Sequence, residues 1–179
     1  VLHKDSLHEV FHGNCQMFDN FKRNGRLILC RRAIDEMRKL PESDWNICAG
    51  TLPVYYLFPN IIFMPTQEGA FLVQEYPIEN SPHKSVSKIS FYFYPHVLEH
   101  VKQLEKQGVN GKELLQEQYN GFASVIRDED YVAAASSHKG LKSGNIDYLT
   151  FGKNEPALHH YHNTYREALG LQSLPLEEA

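Results

Sequence analysis

The pattern of the chain changes once, at Pro95. Upstream lies a run of short segments suited to strands; downstream the apolar residues recur at helical spacing. "TLPVYYLFPNIIFMP" (51–65) is rich in β-branched and aromatic residues, and Pro59-Asn60 divides it into two strands. "AFLVQEYPIE" (70–79) and "SVSKISFYFYP" (85–95) continue the meander across the turn-forming "NSPHK" (80–84). In the last segment Val86, Ile89, Phe91 and Phe93 nearly alternate with Ser and Tyr, which predicts one buried face. Further upstream, "RLILCRR" (26–32) reads as a short strand and "AIDEMRKL" (33–40) as a short helix stopped by Pro41. The first twenty residues read as a mixed polar and apolar approach segment.

After Pro95, "HVLEHVKQLEKQ" (96–107) places Val97, Val101 and Leu104 on one side of a helix that stops at Gly108. A second helix is predicted from Asn110-Gly111 through residue 141, with a kink near Gly121. A last one covers "ALHHYHNTYREALG" (157–170), with Asn154 as N-cap, Pro156 in the first turn and Gly170 as the stop. Strands followed by helices, with no internal repeat and no linker, predict one α+β domain over 1–179 built on an antiparallel sheet.

Bulk properties narrow the function. A net charge of -4 leaves no basic footprint for nucleic acid. The apolar runs are too short to span a bilayer, and the charged first residues lack the core of a signal peptide. Cys15, Cys30 and Cys48 are odd in number and form no CxxC pair, which argues against a disulfide framework, structural zinc or an iron–sulfur centre in this chain. A reduced, cytoplasmic setting with three buried, unreactive thiols is expected.

Two clusters carry possible chemistry. "VLHKDSLHEVFH" brings His3, His8 and His12 together with Asp5 and Glu9. "IRDEDYV" (126–132) sets Asp128, Glu129 and Asp130 into an otherwise apolar helix, flanked by Phe122, Val125, Ile126, Val132 and Ala133. A mononuclear iron(II) site of the facial-triad type needs two neutral imidazoles and one carboxylate, with the opposite side open. The two clusters together hold those residue types. On spacing and composition alone, a solvated histidine pair and a solvated acidic helix face are the favoured explanation. His159, His160 and His162 form a third group, but adjacent residues point to different helix faces, so surface and partial core are the expected roles.

The chain resembles the C-terminal catalytic domain of the large (alpha) subunit of Rieske-type aromatic-ring-hydroxylating oxygenases. "VLHKDSL" is similar to the end of that family's histidine motif, whose second iron-binding His is followed by Lys-Asp-Ser/Thr. "YYLFPNIIFMP" resembles its strand pair around Phe-Pro-Asn. "RDEDYVAAASSHKGLKSG" resembles the helix that carries the carboxylate ligand, and "NEPALHHYHNTYREAL" the closing helix. The order and spacing of these motifs extend over most of the chain.

The resemblance implies a helix-grip fold (START/Bet v1-like), an antiparallel sheet wrapped on a long C-terminal helix. It implies mononuclear Fe(II) held by His3 and Asp130, the Asp that lies about ten residues before Gly140-Leu141, with His8 and Asp128 as fallbacks. A shifted register would make His3 and His8 the two imidazole ligands. The missing Met and the abrupt first motif lead us to expect a fragment, lacking the first histidine ligand and the Rieske domain with its 2Fe-2S cluster. The implied parent is an oxidoreductase, a mono- or dioxygenase hydroxylating or demethylating an aromatic or other small organic substrate. It would use O2 and NAD(P)H-derived electrons delivered by a reductase or ferredoxin, in a homo-oligomer expected to be a trimer, with no nucleic-acid or membrane partner. The fragment alone is expected to be inactive. Phe58, Phe63, Phe91, Phe93 and Phe122 are candidates for an apolar substrate pocket. The alternative reading is a non-catalytic helix-grip domain that binds an apolar ligand.

Overall fold

The computed structural model describes residues 10–175, with backbone alone for 13–15. Six strands follow one another: β1 (Phe11–Phe21), β2 (Asn24–Arg31), β3 (Thr51–Leu57), β4 (Ile61–Pro65), β5 (Gly69–Pro77) and β6 (Ser85–Phe93). Each pairs antiparallel with its neighbour in the chain, giving one sheet in the order β1-β2-β3-β4-β5-β6. The sheet curls into a half-barrel, and the helices make the fold α+β of the helix-grip kind. The predicted break at Pro59-Asn60 is the β3–β4 turn, where the Phe58–Pro59 peptide is cis.

The first segment departs from expectation. Residues 11–21, read from the sequence only as a mixed approach segment, are a strand. Its pairing with β2 puts Gln16, Phe18 and Asn20 on one face and Met17, Asp19 and Phe21 on the other. Both faces mix polar with apolar residues, so no period-2 signal appears in the sequence. A shift of register between Phe11 and Gln16 disrupts the pattern further.

Alternation along the strands decides what meets the helices. Met64, Phe71 and Val73 are buried on the helix-facing side, with Val54, Ile62, Ile89 and Phe91 packed around them. Tyr119, Phe122 and Ile126 descend on this cluster from one helical face, at spacings of three and four. The opposite face of the sheet keeps Met17, Phe21, Val86 and Tyr92 exposed. Short helices α1 (Ile34–Met37) and α2 (Ile47–Gly50) lie between β2 and β3. Cys30 is buried, but Cys48, on α2, is exposed rather than buried, because that short helix lies on the surface.

After β6 come α3 (Pro95–Glu105), α4 (Gly111–Val125), a π-helical turn (Ile126–Asp130), α5 (Tyr131–Lys142) and α6 (Pro156–Ala168). The turn joins α4 and α5 end to end, so the long helix predicted from the sequence is present. Its irregularity falls at 126–130 and not at Gly121. Tyr119, Phe122 and Ile126 pin α4 to the core on both sides of Gly121, so that stretch stays regular. The N-cap of α6 is Glu155 rather than Asn154. The Glu155 carboxylate accepts from the Gly152 amide at 2.6 Å and ties off the preceding loop, and Pro156 at the first position needs no donor partner.

Candidate functional site

The π turn is built from the acid cluster itself, "IRDED". Such single turns inside α-helices recur at functional sites, because the widened turn redirects side chains from the helical register. Asp128 and Asp130 are not equivalent there. Asp128 is exposed and grips its neighbour Arg127 through two contacts, of 2.6 and 2.7 Å. That guanidinium holds the Asp128 carboxyl below the usual carboxylate range. Asp130 is partly buried at the junction with α5.

The next residue carries the site onto the sheet. The Tyr131 hydroxyl donates to Glu75 on β5 at 3.3 Å, and the Ser87 hydroxyl on β6 lies 2.7 and 2.6 Å from the two Glu75 oxygens. Burial raises the pKa of Tyr131, and the nearby charges of Glu75 and Asp130 add to that. Glu75 and Ser87 face each other because β5 and β6 pair at that position.

Glu75 also lines an open cavity of about 550 Å³. Tyr56 and Ile62 from the sheet and Tyr161 and Tyr165 from α6 form its wall, and the β5–β6 loop forms its rim. The Tyr161 ring meets Tyr56 at 4.9 Å and Tyr165 at 5.0 Å between centroids, edge to face in both cases. The Tyr56 hydroxyl donates to the Pro59 carbonyl at 3.0 Å, and the Tyr165 hydroxyl donates to the same oxygen. Burial, reinforced by Tyr165, pushes the Tyr161 hydroxyl up to about 12 and raises that of Tyr56 as well. The Tyr56 and Tyr161 phenols are therefore neutral at physiological pH.

The residues singled out from the sequence take distinct places. His3 and His8 lie outside the described residues. His12 contacts Asp35 at 2.8 Å. His160 packs on Phe18 and reaches the Asn24 carbonyl, His162 stacks on Phe151, and His159 bonds to Asn163, so the three point to different neighbours. Phe91, Phe93 and Phe122 belong to the packed aromatic cluster around Phe71, with Phe122 3.9 Å and Phe91 4.2 Å from its ring. Phe58 sits in the β3–β4 turn against Tyr165, and Phe63 packs with Tyr55 on the far face of the sheet. None of these five phenylalanines lines the cavity. Wholly apolar rings fill the core, while tyrosines can face a wet space and still anchor their hydroxyls.

Glu75, Tyr56, Tyr131, Tyr161 and Tyr165 were not singled out by sequence reasoning. The only local signal was the polar Glu75 on the core-facing side of an apolar strand, and its meaning needs β6 and α5 beside it.

Among the described residues no three His, Cys, Asp or Glu side chains assemble into a ligand set. Glu129 and Asp130 are both partly buried carboxylates of the π turn, and a carboxylate is the donor type that a facial triad takes beside two imidazoles. No helix among the described residues is long and apolar enough to cross a membrane. No characterised protein and no solved structure matches the chain significantly. A family model described as the ring hydroxylating alpha subunit (catalytic domain) matches residues 1–171. With its curled sheet and long helix in place, the chain belongs to the ring-hydroxylating oxygenase alpha subunits, as their catalytic domain.

Proposed function

We propose that this chain is the iron- and substrate-binding part of a Rieske non-haem iron oxygenase that hydroxylates or demethylates a small organic molecule. The observation that supports it most is the π turn. It sets a half-buried Asp130 one residue from Tyr131, whose hydroxyl reaches Glu75 at the wall of a cavity of about 550 Å³. That size suits a small ligand. Asp130 would be the carboxylate ligand and His3 one imidazole ligand, with a second imidazole from upstream of Val1. Iron(II) held there would supply O2 activation, with electrons from NAD(P)H arriving through a reductase or ferredoxin and a 2Fe-2S Rieske cluster on another part of the parent protein.

The chain's own contribution is to position and shield. Tyr131 and Ser87 hold the Glu75 carboxylate by hydrogen bonds, and tyrosines line the space in which a substrate would sit. The parent would be a cytoplasmic homo-oligomer, by analogy a trimer. Without electrons from a Rieske cluster, the catalytic domain by itself would not turn over.

The test is the iron content of a chain extended upstream by a few tens of residues. We expect stoichiometric iron(II), its loss in Asp130→Ala, and its retention in Asp128→Ala, because Asp128 is exposed and held by Arg127. Retention of iron by Asp130→Ala, with loss in Asp128→Ala, would move the ligand to Asp128. Absence of iron in every version would leave the cavity as a binding site without redox chemistry.

A further inference from the structure

We infer that the cavity walled by Tyr56, Tyr161 and Tyr165 and floored by Glu75 selects an organic cation, a methylated or quaternary ammonium group, over a neutral aromatic molecule. As an identification of the oxygenase's substrate class, this rests on the reading above; as a binding property, it does not.

The argument begins with the charge on Glu75. Its partners are two neutral hydroxyls, from Ser87 and Tyr131, and no cationic side chain among the described residues pairs with it. Lys84 at the cavity rim and Arg23 beside Phe58 are already engaged. Lys84, on the rim, pairs with Glu79 at 2.9 Å, and Arg23, over the Phe58 ring, pairs with Glu167 at 3.2 Å. A carboxylate accepts about four hydrogen bonds, so two neutral donors leave it capacity as well as charge. A partly buried charge without a counter-charge is costly, and a bound cation would remove that cost.

The wall adds the second element. Four tyrosines line the cavity, and three of them, Tyr56, Tyr161 and Tyr165, have adjacent rings inclined at 62° and 63°, so they enclose the space from more than one direction. Aromatic π systems attract cations, and several rings around one site is how alkylated ammonium groups are recognised. Two of the hydroxyls, those of Tyr56 and Tyr165, are spent on the Pro59 carbonyl. Those two residues therefore offer a ligand their π electrons rather than a free donor. A neutral hydrocarbon would bury Glu75 without compensating it, and an anion would be repelled by it.

The experiment is calorimetric titration of the 179-residue chain, without added metal, using choline and its uncharged carbon isostere 3,3-dimethyl-1-butanol. The pair share shape and hydroxyl and differ in charge. We expect choline to bind at least about tenfold more tightly, a preference that falls with added salt. Glu75→Gln, which keeps an acceptor for Ser87, should abolish the preference, and Tyr161→Leu should weaken choline binding several-fold. Equal affinities, tighter binding of the isostere or of toluene, failure of both ligands to bind, or an unchanged preference in Glu75→Gln would each overturn the inference. Because no iron is involved, this result is independent of whether Asp130 ligates a metal.

Discussion

Side chains of the same type serve different ends in this molecule according to their immediate neighbours. Two aspartates two positions apart differ because one has an arginine beside it and the other lies half-buried at the end of the π turn. Ten tyrosines are spread along the chain, yet Tyr56 and Tyr161 are pushed far up because burial and the Tyr165 hydroxyl disfavour their phenolates. The consequence for stability follows from the direction of that shift. Between the ordinary tyrosine value of about 10 and the folded value of about 12 for Tyr161, the unfolded chain has lost a proton that the folded chain keeps. Stability therefore falls as pH rises through that window and is fully retained below it. Thermal melts at stepwise pH should show a steep alkaline decline, and Tyr161→Phe should make it shallower while leaving neutral-pH melting nearly unchanged. At Gly69 a Cβ would collide with the Tyr92 carbonyl oxygen. Gly69→Ala should cost about 1–3 kcal/mol in denaturant unfolding.

The π turn carries the most information among the elements. It adds width to a helix whose two halves, α4 and α5, are otherwise regular, and it lies where the acid cluster interrupts an apolar face. Removing one residue from it, Asp128, should restore α-helical register through the junction without disturbing the packing of Tyr119 and Phe122 below. Far-UV circular dichroism and melting should then stay close to the parent's. Iron binding in the upstream-extended chain should be lost, because Asp130 would be displaced around the helix. A deletion that retained iron would separate the turn from the metal site. Phe71 is the corresponding pivot of the sheet, 5% exposed and in contact with both Phe91 and Phe122. Phe71→Ala should lower stability by about 3–5 kcal/mol, measured by chemical denaturation.

Over the whole molecule, every strand pairs with its sequence neighbour, and the only buried cluster of apolar side chains among the described residues is centred on Met64, Phe71 and Val73. Hydrogen exchange should accordingly be slowest in β4 and β5, which are paired on both sides and covered by α4. It should be fastest in β1, an edge strand with a break in its register. Slowest exchange in β1 would mean that this edge is covered in solution by another chain, which the exposed Met17 and Phe21 would suit.

The amino-acid sequence by itself determined the order of strands and helices, the change of period at Pro95, the turn at Pro59-Asn60 and the acidic interruption at 126–132. Each depends on residues a few positions apart, where alternation, helical spacing or a proline acts directly. β1 escaped because neither of its faces is uniformly apolar. The wall of the cavity escaped for a different reason. Tyr56, Glu75, Tyr161 and Tyr165 are separated by up to about a hundred positions, and each is unremarkable in its own segment. Only the curl of the sheet beneath α5 and α6, held by packing on Phe71 and by edge-to-face tyrosines, brings a carboxylate and several tyrosine rings around one space. Long-range packing of that kind leaves no period in the chain to read.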